Sequence, residues 1–151
     1  MPLVIRRATS SDLDVVVDFN RRLAEESEGK KLDAVLLKAG VAQALADSNK
    51  ALYFLAEDGA IAVGQTMITT EWSDWRNGWF WWIQSVYVRP EARRCGVFRA
   101  LFEHVSKTAR QDPTVIGLRL YVDEDNHAAQ ETYRRLGMID TTYFVLEKHP
   151  L

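Results

Sequence analysis

Three arginines, Arg93, Arg94 and Arg99, gather around one glycine, Gly96, where a stretch of apolar residues gives way to an amphipathic one. Ser85-Val86-Tyr87-Val88-Arg89 reads as a buried strand, and the run from about Cys95 onward reads as a helix with a basic loop at its entrance. That order of elements suits an anion. The first N–H groups of a helix have no intrahelical acceptor and lie at the positive end of its dipole, and a glycine at the entrance lets an oxyanion approach without side-chain obstruction. Gly96 and the N–H groups of Val97, Phe98 and Arg99 are the candidate donors, and the guanidinium groups add positive charge. The same residues also fit an ordinary strand-to-helix connection with solvated arginines.

A second group of residues narrows the choice. Arg93-Arg94-Cys95-Gly96-Val97-Phe98 resembles the acetyl-CoA pyrophosphate loop of the GNAT family of N-acetyltransferases, whose usual form is Arg or Gln, two residues, Gly, one residue, then Gly or Ala. Asn126-His127-Ala128-Ala129, Tyr133 and Leu136-Gly137-Met138 resemble that family's Asn-x-x-Ala, Tyr and Leu-Gly-Phe/Met segment. The likeness extends from an opening strand at Ile5-Arg6-Arg7-Ala8-Thr9 to a closing one at Tyr143-Phe144-Val145-Leu146-Glu147.

The resemblance implies an acetyl-CoA-dependent N-acetyltransferase acting by direct transfer to a primary amine, with no metal. Such chemistry needs a bound thioester, a deprotonated amine, a donor for the developing oxyanion and a proton for the leaving thiolate. By resemblance, the backbone of Val86 and Val88 pairs with the pantetheine arm like an added strand, and an N–H there faces the thioester carbonyl. Tyr133 is the implied general acid, since a phenol of pKa about 10 stays protonated until the thiolate forms. Asn126 caps the following helix, bonds the cofactor, or does both.

Two positions depart from the family pattern. Phe98 stands where Gly or Ala is usual, so its ring must turn away from the phosphates, with Phe102 one turn on as a packing partner. Gln84 stands where many members carry a catalytic glutamate, and an amide removes no proton at neutral pH. Glu71 is the first alternative base and Glu26 the second; a water chain held by Gln84 is a third route. Cys95 beside the loop reads as a small filler, or as a thiol tuned by the helix N-terminus.

All five tryptophans fall between Trp72 and Trp82. They line an acceptor pocket, close the core, or form a homodimer surface. The resemblance implies that Glu71, Asp74 and the acidic loop Glu25-Glu26-Ser27-Glu28 lie nearby, and such a pocket would suit a small cationic amine.

The elements that position these residues can be read from periodicity. Leu3 to Arg7 is a strand, Thr9 to Asp12 a capping signal for a helix to about Glu26, and Leu32 to Asp47 a second helix interrupted near Gly40. Ala51–Ala56 and Ala60–Thr70 form a hairpin around Asp58-Gly59, and Trp79 to Val88 is a strand apolar on both faces. A helix from Cys95 to Arg110, a strand from Val115 to Val122, a helix from Ala128 to Leu136 and a strand from Thr141 to Glu147 complete the chain. The order βααβββαβαβ gives an α/β fold. By resemblance the central sheet is mixed and mostly antiparallel, flanked by helices, in a single domain over residues 1–151.

Composition sets the outer bounds. A net charge of −2 argues against a general nucleic-acid surface, and one cysteine excludes an intrachain disulfide. No apolar run suits a signal peptide or a membrane span, so the expectation is a cytoplasmic protein. The rival reading is a non-catalytic acyl-CoA sensor or interaction module that lost its base, as Gln84 permits.

Overall fold

The computed structural model describes residues 2–151, which gather into two compact units, residues 2–120 and Tyr121–Leu151. The first unit holds a five-stranded sheet ordered β1 (Leu3–Arg7), β2 (Leu52–Asp58), β3 (Ile61–Ser73), β4 (Gly78–Val88) and β5 (Val115–Leu120). Every neighbouring pair is antiparallel except β4 and β5, which run parallel.

One face of the sheet is covered by α1 (Leu13–Glu28) and α2 (Ala34–Ala46). Val16 and Phe19 of α1 are fully buried against Tyr53, Leu55 and Tyr87, while Asp18, Arg21, Arg22 and Glu25 pair along the outer face of the helix. The entry to α1 is a 3-10 turn at Ser10–Asp12 in which the Thr9 N–H donates to Asp12 Oδ2 at 2.7 Å. Asp12 also accepts two bonds from Arg6, at 2.8 and 2.9 Å, so strand and helix are tied by one carboxylate. The helix ends at Gly29, whose left-handed backbone lets the N–H groups of Gly29 and Lys30 bond the carbonyls of Glu25 and Ala24. It therefore runs past the expected stop at Glu26. Asp33 caps α2, which continues unbroken through Gly40 because nothing in the tertiary structure demands a break there.

The other face is covered by α3 (Val97–Gln111), whose Val97, Leu101 and Val105 are buried one turn apart, as the sequence predicts. Gly64 allows this helix to come close: a Cβ there would meet Val97 Cγ1 at 2.8 Å and the Tyr87 carbonyl at 3.0 Å.

In the second unit α4 (His127–Arg135) is capped by Asn126, which accepts from the Ala129 N–H at 3.2 Å. The strand expected over Thr141 to Glu147 does not form. Those residues favour strand locally, but a strand needs a neighbour for its N–H and C=O groups, and Phe144 and Leu146 stand 92% and 93% exposed. Of the tryptophans, Trp81 joins the core, Trp82 is half-buried, and Trp72, Trp75 and Trp79 are exposed, the first and last meeting edge to face at 5.0 Å. No described helix is long and apolar enough to cross a membrane.

Candidate functional site

Two irregularities of β4 build the site. The strand pairs with β5 only from Trp79 to Ile83, whereas its pairing with β3 runs to Val88. From Gln84 to Val88, therefore, one edge of β4 carries no strand neighbour among the described residues. At the same point the register with β3 slips: Gln65 faces Tyr87 but Met67 faces Gln84, so Ser85 and Val86 oppose the single residue Thr66. Ser85 takes φ +51°, in the left-handed region that only a minority of non-glycine residues adopt.

Two polar side chains from β3 hold this bulge. Gln65, fully buried, donates from Nε2 to the Ser85 carbonyl at 3.1 Å, and Thr66, 2% exposed, donates from Oγ1 to the Gln84 carbonyl at 3.3 Å. A trans peptide points its N–H opposite its C=O. Fixing the Ser85 carbonyl toward Gln65 thus turns the Val86 N–H away from Gln65. The cost is an orphan, because Gln65 Oε1 is buried with no hydrogen-bond partner.

Beyond the open edge the chain passes through a 3-10 turn at Pro90–Ala92 and enters α3 through Gly96, at φ +81°. Arg94 is also left-handed, at φ +62°. Among the described residues no side chain hydrogen-bonds to cap α3, and a Cβ at Gly96 would find nothing within 4 Å. Phe98 turns its ring toward Phe102, with centroids 6.2 Å apart. Cys95 is exposed, its Sγ 3.5 Å from the Arg93 carbonyl.

An open cleft of about 390 Å³ lies along the free edge, lined by Leu23, Glu26, Ser27, Val86, Tyr87, Val88 and Arg93. Arg93 reaches across it, donating to the Val88 carbonyl at 2.9 Å and to Glu26 Oε2 at 2.5 Å, with its guanidinium 5.7 Å from the Tyr87 ring. The Tyr87 hydroxyl donates to Glu26 Oε1 at 3.3 Å. Burial, reinforced by the negative charge of Glu26, pushes the Tyr87 phenol above its ordinary pKa. Both oxygens of Glu26 are thus engaged.

Because strand residues alternate faces and the bulge resets the alternation, Tyr87, Gln84 and Trp82 share one face of β4 with Thr69 and Glu71 of β3. Gln84 Nε2 donates to Thr69 Oγ1 at 2.6 Å. Glu71 Oε1 accepts from Arg119 at 2.8 Å and Trp82 Nε1 at 3.2 Å, leaving Oε2 outside both bonds. Arg119 in turn stacks on the Phe80 ring at 3.6 Å. In the second unit, Tyr133 is half-buried, and burial raises its phenol above the ordinary value. His127 opens α4 and is exposed; His104, on α3, packs edge to face on Phe54 at 5.2 Å.

Gln65, Thr66 and the Ser85 bulge were not singled out from sequence. The signal present was a polar pair, Gln65-Thr66, in the middle of the otherwise apolar run Ala62 to Ile68.

The chain is similar to known proteins. Residues 15–138 match the model of the acetyltransferase (GNAT) family. A possible acetyltransferase from Clostridium difficile 630 is 42% identical, with 100% of this chain and 99% of that chain covered and a TM-score of 0.93. A predicted acetyltransferase from Clostridium acetobutylicum, solved with acetyl-CoA, shares the fold at 18% identity, covering 97% of this chain and 96% of that one with a TM-score of 0.79. No curated protein matches the chain in sequence.

Proposed function

The chain belongs to the acetyltransferase (GNAT) family, and from that premise we propose that it transfers the acetyl group of acetyl-CoA to a primary amine, by direct attack of the amine on the thioester. The observation that carries this reading is the conjunction, on one strand, of an unpaired edge, a braced bulge and a glycine-entered helix N-terminus. Each meets one part of an acyl-CoA. The helix N–H groups of Val97, Phe98 and Arg99 suit a pyrophosphate, helped by Arg94 and by Arg93 once it leaves Glu26. The free edge at Val86 and Val88 suits the amides of a pantetheine arm, which add to it as an extra strand would. The Val86 N–H, held in a fixed direction by Gln65, is the donor for the carbonyl oxygen as it gains charge.

The proton then has to leave the amine, which at a pKa of about 10.4 is largely charged at neutral pH. Glu71 is the proposed acceptor. Its Oε2 is not committed to Arg119 or Trp82, and it shares a sheet face with the Gln84–Thr69 pair, which can order a relaying water. Glu26 has no oxygen left over and is assigned to holding Arg93 and Tyr87. Tyr133, on the family-like segment from Asn126 to Gly137, is the proposed proton donor to the thiolate; its raised pKa keeps it protonated across neutral pH.

Cofactor binding is tested by thermal stabilisation. At acetyl-CoA about 100-fold above its dissociation constant, the gain is about 2.7 kcal/mol, a rise of roughly 5–10 °C for a chain of this size. Gly96→Glu sets a carboxylate at the helix N-terminus and should remove most of that rise. An unchanged melting point of the native chain with millimolar CoA would refute the assignment.

A further inference from the structure

Toward the Gly78 end of β4, one face of the sheet carries charges that the transfer chemistry uses only in part. Alternation along the strands and their register place Glu71 of β3, Phe80 and Trp82 of β4, and Gly117 and Arg119 of β5 on that face, all within the first unit. Its centre is the Phe80 ring. Gly117 makes room for the ring, since a Cβ there would meet Phe80 Cε1 at 2.8 Å. Two guanidinium groups lie over it, that of Arg119 at 3.6 Å from the centroid and that of Arg76, from the turn between β3 and β4, at 5.3 Å.

Stacking on an aromatic face holds a guanidinium in place without consuming its N–H donors. Arg119 Nη1 donates to Glu71 Oε1 at 2.8 Å, which engages one of the five donors that an arginine carries. Arg76 Nη1 donates to Ser73 Oγ at 3.3 Å, and no carboxylate among the described residues pairs with Arg76. Asp74, in the same turn, accepts from the Trp75 N–H at 2.8 Å. Glu71 Oε2 stands outside the bonds to Arg119 and Trp82. The face therefore presents a carboxylate oxygen next to spare guanidinium donors, with the side chains of Arg119 and Glu71 23% and 47% exposed.

We propose that the acceptor is a free α-amino acid, its ammonium group received by Glu71 Oε2 and its carboxylate by Arg119 and Arg76. This rests on the reading of the chain as an N-acetyltransferase with Glu71 as base. The match is one of spacing: an α-amino acid carries its two charges on neighbouring groups, as Glu71 and Arg119 do at 2.8 Å, so each charge of the ligand meets its opposite. A planar guanidinium also fits a carboxylate through two parallel N–H···O bonds. A polyamine would instead bring a second positive charge against both guanidinium groups. In the transfer the amine nitrogen bonds the acetyl carbon as the C–S bond breaks, Glu71 takes the amine proton, and the thiolate gains a proton to leave as free CoA thiol. The acceptor carboxylate is unchanged in the N-acetyl amino acid.

The test pairs amino acids with the amines that lack only the carboxylate, leucine with isopentylamine, phenylalanine with phenethylamine and arginine with agmatine, and with their carboxamides, which lack only its charge. Thiol release gives kcat/KM for each. At least one amino acid should exceed both of its counterparts by about 10–100-fold, as expected of hydrogen bonds to a charged group. Arg76→Gln and Arg119→Gln should each shrink that ratio, Arg76→Gln chiefly through KM. The ratio is taken within one preparation, so a general loss in Arg119→Gln from displacing Glu71 cancels. Acetyl-CoA should still raise the melting temperature of both variants, which shows that each is folded. Counterparts that react as well as their amino acids overturn the proposal and leave acetyl transfer to a primary amine standing, and so does a preference that either variant leaves intact. No thiol release with any acceptor overturns the transferase reading and this inference with it.

Discussion

Replacing Gln65 by Met separates the stability of the bulge from its function. Gln65 Nε2 is the side-chain donor to the Ser85 carbonyl, and Gln65 Oε1 is a buried acceptor without a partner. Methionine has nearly the same length and neither polar atom. Leaving the Ser85 carbonyl without this donor costs about 1–3 kcal/mol, and deleting the orphaned Oε1 returns a similar amount. The two effects oppose each other, so the melting temperature should move by no more than roughly 5 °C in either direction. Catalysis has no such offset. Without Gln65 the Ser85–Val86 peptide is free to relax from φ +51° toward regular strand geometry, and the Val86 N–H turns with it. Removal of one oxyanion donor typically costs ~10²–10³-fold in turnover. With the pyrophosphate held at the α3 N-terminus as proposed, CoA affinity should change by less than about 3-fold, or ~0.6 kcal/mol. Turnover, CoA dissociation constant and melting temperature are to be measured on one preparation. Native turnover would show that the bulge does not aim a catalytic donor. A parallel loss of CoA binding would show that Gln65 supports the cofactor cleft as a whole.

Glu71→Gln should lower turnover by ~10²–10⁴-fold near neutrality and recover toward high pH, where the amine loses its proton unaided; Glu26→Gln should instead alter CoA affinity by freeing Arg93, and the reverse pattern in a pH–rate comparison would exchange the two roles. Acid should weaken the fold through Asp12. The hydrogen bonds from Arg6 hold its carboxyl below the usual 3.8, so its contribution is present above about pH 4 and is lost as pH falls through the folded-state value. Hydrogen bonds to a charged group contribute about 1.5–3 kcal/mol. Asp12→Asn should therefore melt lower at pH 7 and fall less steeply below pH 4 than the native chain; parallel curves would exclude Asp12 as the titrating group.

What could be read from sequence was local. Gly96 marked the entrance to α3 because a glycine there leaves an anion unobstructed, and Val97, Leu101 and Val105 fixed the buried face of α3 by spacing alone. The turn at Asp58-Gly59 and the cap at Asn126 were legible as local signals too. The bulge was not, since Ser85 has no intrinsic preference for φ +51° and is held there by residues 20 positions away. The bond between Arg93 and Glu26 joins residues 67 apart and carries no local pattern at all. Thr141–Glu147 failed in the opposite sense: local preference was read well, but strand formation also requires a neighbouring edge, which only tertiary or quaternary structure supplies.

Acetyl transfer to an amine is measured most directly by following free CoA thiol and acetylated product together while acetyl-CoA is offered with a panel of small primary amines. Acetyl transfer to an amine predicts thiol release that depends on a cationic amine, in step with an N-acetyl product identified by mass spectrometry. It also predicts a fall of ~10²–10⁴-fold in Tyr133→Phe with unchanged CoA affinity. Tight acetyl-CoA binding with no product from any amine would contradict it, leaving a domain that holds the acyl donor without using it.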